Sequence, residues 1–142
     1  MDFKVDNLVE THNQGPYKAY RVRMDGNVYV VAYDGEHIKE VYFMFYKQKY
    51  FMSCRSDMKT ISHYYIDGDI IRRYEEGILN REYFILDDNT GICYVNNEKR
   101  IYSTQRGVTI ENPNKIQVDL LQFLEKFNSL ALSQFFNPQE PK

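Results

Sequence analysis

Three Asp-Gly pairs, at 25–26, 34–35 and 67–68, each stand between short runs rich in Val, Ile, Tyr and Phe. A two-residue type I′ turn needs φ > 0 at both central positions, and Asp followed by Gly adopts that geometry at little cost. The pairs therefore predict β-hairpins, and hairpins in series predict an antiparallel meander. A chain built this way selects its residues for pleat and turn, so catalytic motifs must be sought against a background of strand chemistry.

From Tyr17 the strand pattern is regular. Tyr20, Val22 and Met24 alternate with Arg21 and Arg23, as in a strand with one wet face. Further strands are predicted over Val28–Tyr33, Val41–Tyr46, Tyr50–Cys54, Ile61–Ile66, Ile70–Tyr74, Ile78–Leu86, Ile92–Val95 and Arg100–Thr104. Residues 2–16 form an N-terminal segment in which Phe3 and Val5 suit an edge strand. The expectation is a mainly-β meander of roughly eight to ten strands over residues 17–104, curled into a barrel or a two-sheet sandwich.

After Gly107 the period changes. Asn112-Pro113-Asn114 breaks the chain, and Val118, Leu121 and Leu124 then follow helical spacing, with Leu120, Phe123, Phe127, Leu130, Ala131 and Phe135 widening the stripe. An amphipathic helix is predicted over residues 116–136, ended by Asn137-Pro138 and followed by a frayed tail at 137–142. So broad a stripe implies deep docking on the sheet or sharing with a second chain. Seven or more strands followed by such a helix is also the element order of pleckstrin-homology-like domains, an alternative arrangement that rests on order alone.

With 142 residues the chain makes one domain able to bury a core without staples. Its 13 tyrosines and nine phenylalanines, with no tryptophan, suit half-buried pleated surfaces and exclude disorder. A net charge of −2 gives no global attraction for nucleic acid or anionic lipid. Cys54 and Cys93 lack Cys-x-x-Cys spacing and read as small buried residues of a reducing compartment. The N-terminus lacks the basic and apolar regions of a signal peptide and no run suits a membrane span, so a cytoplasmic location is expected.

Candidate chemistry is sparse. His12, His37 and His63 share no metal-ligand spacing; His63 lies on the same strand face as Ile61 and Tyr65 and points inward. Asp67-Gly68-Asp69 flanks a turn rather than a metal. The stretch Asp87-Asp88-Asn89-Thr90-Gly91 begins like a calcium loop but has Ile92 where that loop needs Gly. Ser56-Asp57-Met58-Lys59 matches Ser-x-x-Lys without the helix or partners that motif requires. No metal, cofactor or catalytic residue is assigned.

The segment Tyr42–Met52 is different: a nearly mirror-symmetric hairpin, aromatic on both faces. A half-wet sheet needs cover on one face only, so this hairpin needs it on both. The second cover is the C-terminal helix, a protein partner, a small apolar ligand or, least in keeping with the charge, a nucleic acid stacked on the rings. Tyr42, Met44, Tyr46, Lys47, Lys49 and Tyr50 are the candidate contact residues. The expected function is a small non-catalytic protein-binding module, of an accessory or inhibitor kind, able to self-associate. The alternatives are a β-barrel carrier of an apolar or flat aromatic ligand and, third, an enzyme without a recognisable motif. A weak echo between Tyr33–Phe43 and Tyr74–Phe84 hints at a duplicated hairpin.

Overall fold

A computed structural model describes residues 2–10, 17–85, 90–95, 98–105, 113–127 and 140–141. Within them the chain forms ten antiparallel strands and one helix: β1 (Phe3–Glu10), β2 (Tyr17–Met24), β3 (Asn27–Asp34), β4 (His37–Phe45), β5 (Tyr50–Arg55), β6 (Ile61–Asp67), β7 (Ile70–Glu75), β8 (Ile78–Ile85), β9 (Thr90–Val95), β10 (Glu98–Gln105) and α1 (Pro113–Phe127). Each strand pairs with the next in sequence, and β10 returns to pair with β1. The meander and C-terminal helix are as expected, and all the strands belong to one sheet rather than two stacked sheets. The N-terminal strand is not an edge, since β1 has hydrogen-bonded neighbours on both sides.

The turns divide into two kinds. Asp25-Gly26 has φ of 53° and 83°, and Glu76-Gly77 has 53° and 78°, the sign pattern of type I′. The other two Asp-Gly pairs do not. Asp34 faces His37 and Asp67 faces Ile70, so each Asp closes a strand and Gly35 or Gly68 is the first turn residue. Positive φ then falls on the glycine alone, 62° and 59°, as in type II′. In the β3–β4 and β7–β8 hairpins the register shifts by one residue, after Ala32 and after Arg73.

One face of the sheet carries the apolar core. Val22, Val31, Val41, Met52 and Cys54 are fully buried there, with Tyr29, Tyr33, Phe43 and Tyr50 around them. The helix covers this face with Ile116, Leu120, Phe123 and Phe127, spaced to form one narrow stripe. Val118 and Leu121 point outward at 51% and 39% exposure, so the docked stripe is narrower than the sequence pattern suggests. Pro113 and Asn114 belong to the first turn rather than breaking the chain before it; the ring's fixed φ suits that position. Leu130, Ala131 and Phe135 lie outside the described residues.

Candidate functional site

The opposite face of the sheet is not an ordinary wet surface. Cross-strand pairing lines up one row across eight strands. Lys4 faces Arg23, Arg23 faces Val28, and Val28 faces Met44. Met44 then faces Phe51, Phe51 faces Tyr64, Tyr64 faces Arg73, and Arg73 faces Arg81. Directly opposite residues share a face, so the row has an apolar and aromatic centre with two cations at each end. Val28, Met44 and Phe51 are half-buried, while Tyr64 is only 2% exposed. The Phe51 and Tyr64 rings stack at 4.3 Å with an 11° interplanar angle, and Tyr42 packs on both.

Beside this row lies a buried polar cluster. Glu40 is 8% exposed and accepts hydrogen bonds from Tyr42 OH and Ser53 Oγ, each 2.8 Å. Arg73 is 3% exposed; its Nε and Nη2 donate to Ser62 Oγ at 3.2 and 3.0 Å, and Nη2 donates to Glu75 Oε1 at 2.7 Å. Its guanidinium also lies 5.6 Å from the centre of the Tyr64 ring. Burial works against the charge of Arg73, but Tyr64, Tyr83 and Glu40 outweigh it and hold the group protonated. Burial, reinforced by neighbouring phenols and Glu40, raises the Tyr42 hydroxyl well above its usual range. Tyr64 moves the same way, chiefly through burial. Each buried charge here has a partner, as a buried charge requires.

The helix-covered face holds Tyr50, His63 and Cys54. Tyr50 is 1% exposed, and its hydroxyl is hydrogen-bonded to His63 Nδ1. Burial lowers the pKa of His63, which favours the neutral ring. The Cys54 thiol is pushed up to about 11 by burial, then by Asp57 and Glu40, so it stays protonated near neutral pH. Tyr42, Tyr64, Cys54 and His63 are thus each driven toward their uncharged forms. Ser56–Lys59 is a turn in which Asp57 accepts the Lys59 and Thr60 amides. No three or more of His, Cys, Asp and Glu are grouped to hold a metal among the described residues.

The structure separates the residues singled out from the sequence. Tyr42 and Met44 share the aromatic row's face; Tyr50 lies on the other, in the core beneath the helix. Lys47 and Lys49 are exposed at the short 3₁₀ turn that joins β4 to β5, and Lys49 adopts φ +50° there. The Tyr46 side chain, the Cys93 side chain, His12 and residues 87–89 lie outside what is described. Phe51, Tyr64, Arg73 and Arg81 were not singled out. Strand register is the signal that connects them to Met44.

Protein-family models, curated proteins and solved structures were compared with this chain, and none matches. No helix among the described residues is long and apolar enough to cross a membrane.

Proposed function

We propose that this is a small non-catalytic protein-binding module whose contact surface is the sheet face opposite α1. One observation carries the reading. The row Val28–Met44–Phe51 remains half-exposed on a face whose centre is aromatic, while α1 is already committed to the other face. Aromatic residues, Met and Arg are the types enriched in the cores of protein interfaces. The electrostatics agree, since burial drives the phenols and the Cys54 thiol toward protonated, weakly nucleophilic forms.

A carrier that encloses an apolar ligand is favoured less. On the helix-covered face its place is taken by side chains of α1, with Phe127 stacked on Phe43 at 4.6 Å. A cytoplasmic inhibitor or accessory protein is the setting that best suits the composition.

The test pairs a stability measurement with an association measurement. Val28→Asp combined with Met44→Asp places two charges in the centre of the row. The fold should survive, with a melting temperature lowered by no more than several degrees, while co-purification of a partner or self-association is lost. Unchanged association in a folded double variant contradicts the assignment of this face.

A further inference from the structure

Resting on that protein-binding reading, we infer that the partner enters at one mouth of the closed sheet, inserting a protruding loop tip that carries large apolar side chains. β10 pairs with β1, so the sheet closes on itself and encloses one of its faces. The enclosed face is the one opposite α1: Val118 and Leu121 of the helix stay exposed, whereas an enclosed helix would bury its whole circumference. Ring contacts agree. Tyr42 and Tyr64 come within 5.8 Å across the intervening β5, and Tyr64 and Tyr83 within 6.0 Å across β7. Strands two apart lie about 10 Å from each other, so only an inward curl lets such rings meet.

The two mouths differ in chemistry. At the end holding the β2–β3, β4–β5 and β6–β7 turns, the second residue pair below each turn faces inward: Arg23 with Val28, Met44 with Phe51, and Ile66 with Ile71. All of these but Arg23 are apolar and half-buried, so water reaches an apolar ring that runs across three hairpins. At the opposite end of the same strands the enclosed positions are Glu40, Arg55, Ser62, Arg73 and Glu75. Those residues engage one another: Arg73 donates to Ser62 and Glu75, and Arg55 approaches Glu40 to 4.0 Å. Among the described residues, the apolar ring belongs to one mouth only.

The ring is the wall of a shallow cup. One layer further in, Ser53, Tyr64 and Arg73 are buried and close the floor beneath Met44, Phe51, Ile66 and Ile71. Two residues of strand rise about 7 Å, and the cup reaches deeper only along β3, where half-buried Val30 and Ala32 follow Val28. That depth takes one or two side chains, whereas a free drug-sized ligand needs roughly 70–90% of its surface enclosed. Around the cup stand exposed charges of both signs: Lys4 and Arg23 beside it, and Asp25, Lys47, Lys49, Asp67 and Asp69 on the turns. One layer in, Asp6 stands directly opposite Arg21. Neither sign dominates, so apolar fit selects the partner's tip and polar flanks suit the rim. An apolar centre within a polar rim is the anatomy of a protein interface and its hot spots.

The probe is a random library of disulfide-cyclised peptides on phage, selected against the full chain. Winners should carry Phe, Leu, Met or Trp at the tip, between polar flanks. Their affinity should fall about tenfold or more on Met44→Asp, and equally on Ile71→Asp, which lies outside the aromatic row but inside the mouth. Ile71→Ala is the milder change; it should cost about fivefold, and it serves where thermal melting shows Ile71→Asp to be unfolded. Winners that need Met44 but ignore Ile71 overturn insertion through the mouth and leave the interface reading intact. Winners indifferent to both positions, or no winners at all, overturn both. Anilinonaphthalene sulfonate, titrated by its fluorescence, stands for a small apolar ligand. If one molecule per chain binds more tightly than every Ile71-dependent peptide, the cup is a small-molecule site and the inference fails.

Discussion

The Phe43 ring of β4 and the Phe127 ring at the end of α1 stack with centroids 4.6 Å apart and planes 29° from parallel. Residues 84 positions apart are thereby joined at the centre of the core, where Phe127 is 2% and Phe43 7% exposed. Truncating a buried aromatic costs roughly 3–5 kcal/mol, a large part of a domain's total stability. Phe127→Ala should therefore lower the denaturant midpoint by that equivalent. Deleting residues 116–142 should abolish cooperative unfolding, since Ile116, Leu120 and Phe123 leave the core with it. A soluble, cooperatively melting deletion would make α1 an accessory arm.

The helix is also pinned at its other end. Tyr33 OH donates to Asp119 Oδ2 at 2.7 Å, and Lys115 reaches the same oxygen at 2.6 Å and the Glu36 carbonyl at 3.0 Å. A hydrogen bond to a partly exposed carboxylate is worth about 1 kcal/mol net. A double-mutant cycle of Tyr33→Phe and Asp119→Asn should show coupling of about that size. Additive losses would mean that apolar packing alone docks the helix.

His63 gives a dependence on pH. Its folded-state pKa lies below the ordinary 6.5 because burial penalises the charged ring. As pH falls below about 6.5 the unfolded chain binds the proton first, so stability declines as pH drops toward the lowered folded value. Above about pH 6.5 neither state is protonated at this group and its contribution is constant. Replacing His63 with Gln should flatten the slope of unfolding free energy below about pH 6.5. An unchanged slope would assign it to other groups.

Tyr42 separates fold from surface. Its hydroxyl is bound to buried Glu40, so Tyr42→Phe should cost about 1.5 kcal/mol by removing one donor from a buried carboxylate. Tyr42→Ser also removes the ring packed on Tyr64 and Phe51, and should cost several times more. Met44 is the cleaner probe of binding, because no hydrogen bond depends on it. Equal stabilities of the two Tyr42 variants, measured by denaturation, would show that the ring contributes nothing to this cluster.

Much of this architecture was legible in the chain. Glycines at 26, 35, 68 and 77 mark hairpins, and the change of period after residue 112 marks the helix. The faces were harder to read. A one-residue shift exchanges the two faces of a strand, and two such shifts, after Ala32 and after Arg73, leave no composition signal. The four residues between Phe45 and Tyr50 also set parity: they place Tyr50 on the face of Phe45 and Phe43, although the mirror-symmetric sequence groups it equally well with Tyr42. Both shifts fall at corresponding places in the two echoing hairpins, before Tyr33 and before Tyr74. In each, the tyrosine hydroxyl then meets a distant carboxylate, Asp119 or Glu140. Glu140 also approaches Arg72 at 3.6 Å, so this tail residue is tied to β7 rather than frayed. Such contacts are fixed by three-dimensional packing, which local pattern does not encode.

Site-specific photo-crosslinking tests the central claim most directly. A photoreactive side chain is placed at Met44 in the aromatic row and, separately, at Gln122 on the exposed side of α1, in cells that naturally make the protein. A binding face opposite the helix predicts a discrete protein adduct from position 44, lost when Val28 is replaced by Asp, and none from position 122. Adducts from 122 alone, or equal adducts from both positions that ignore Val28→Asp, would contradict it.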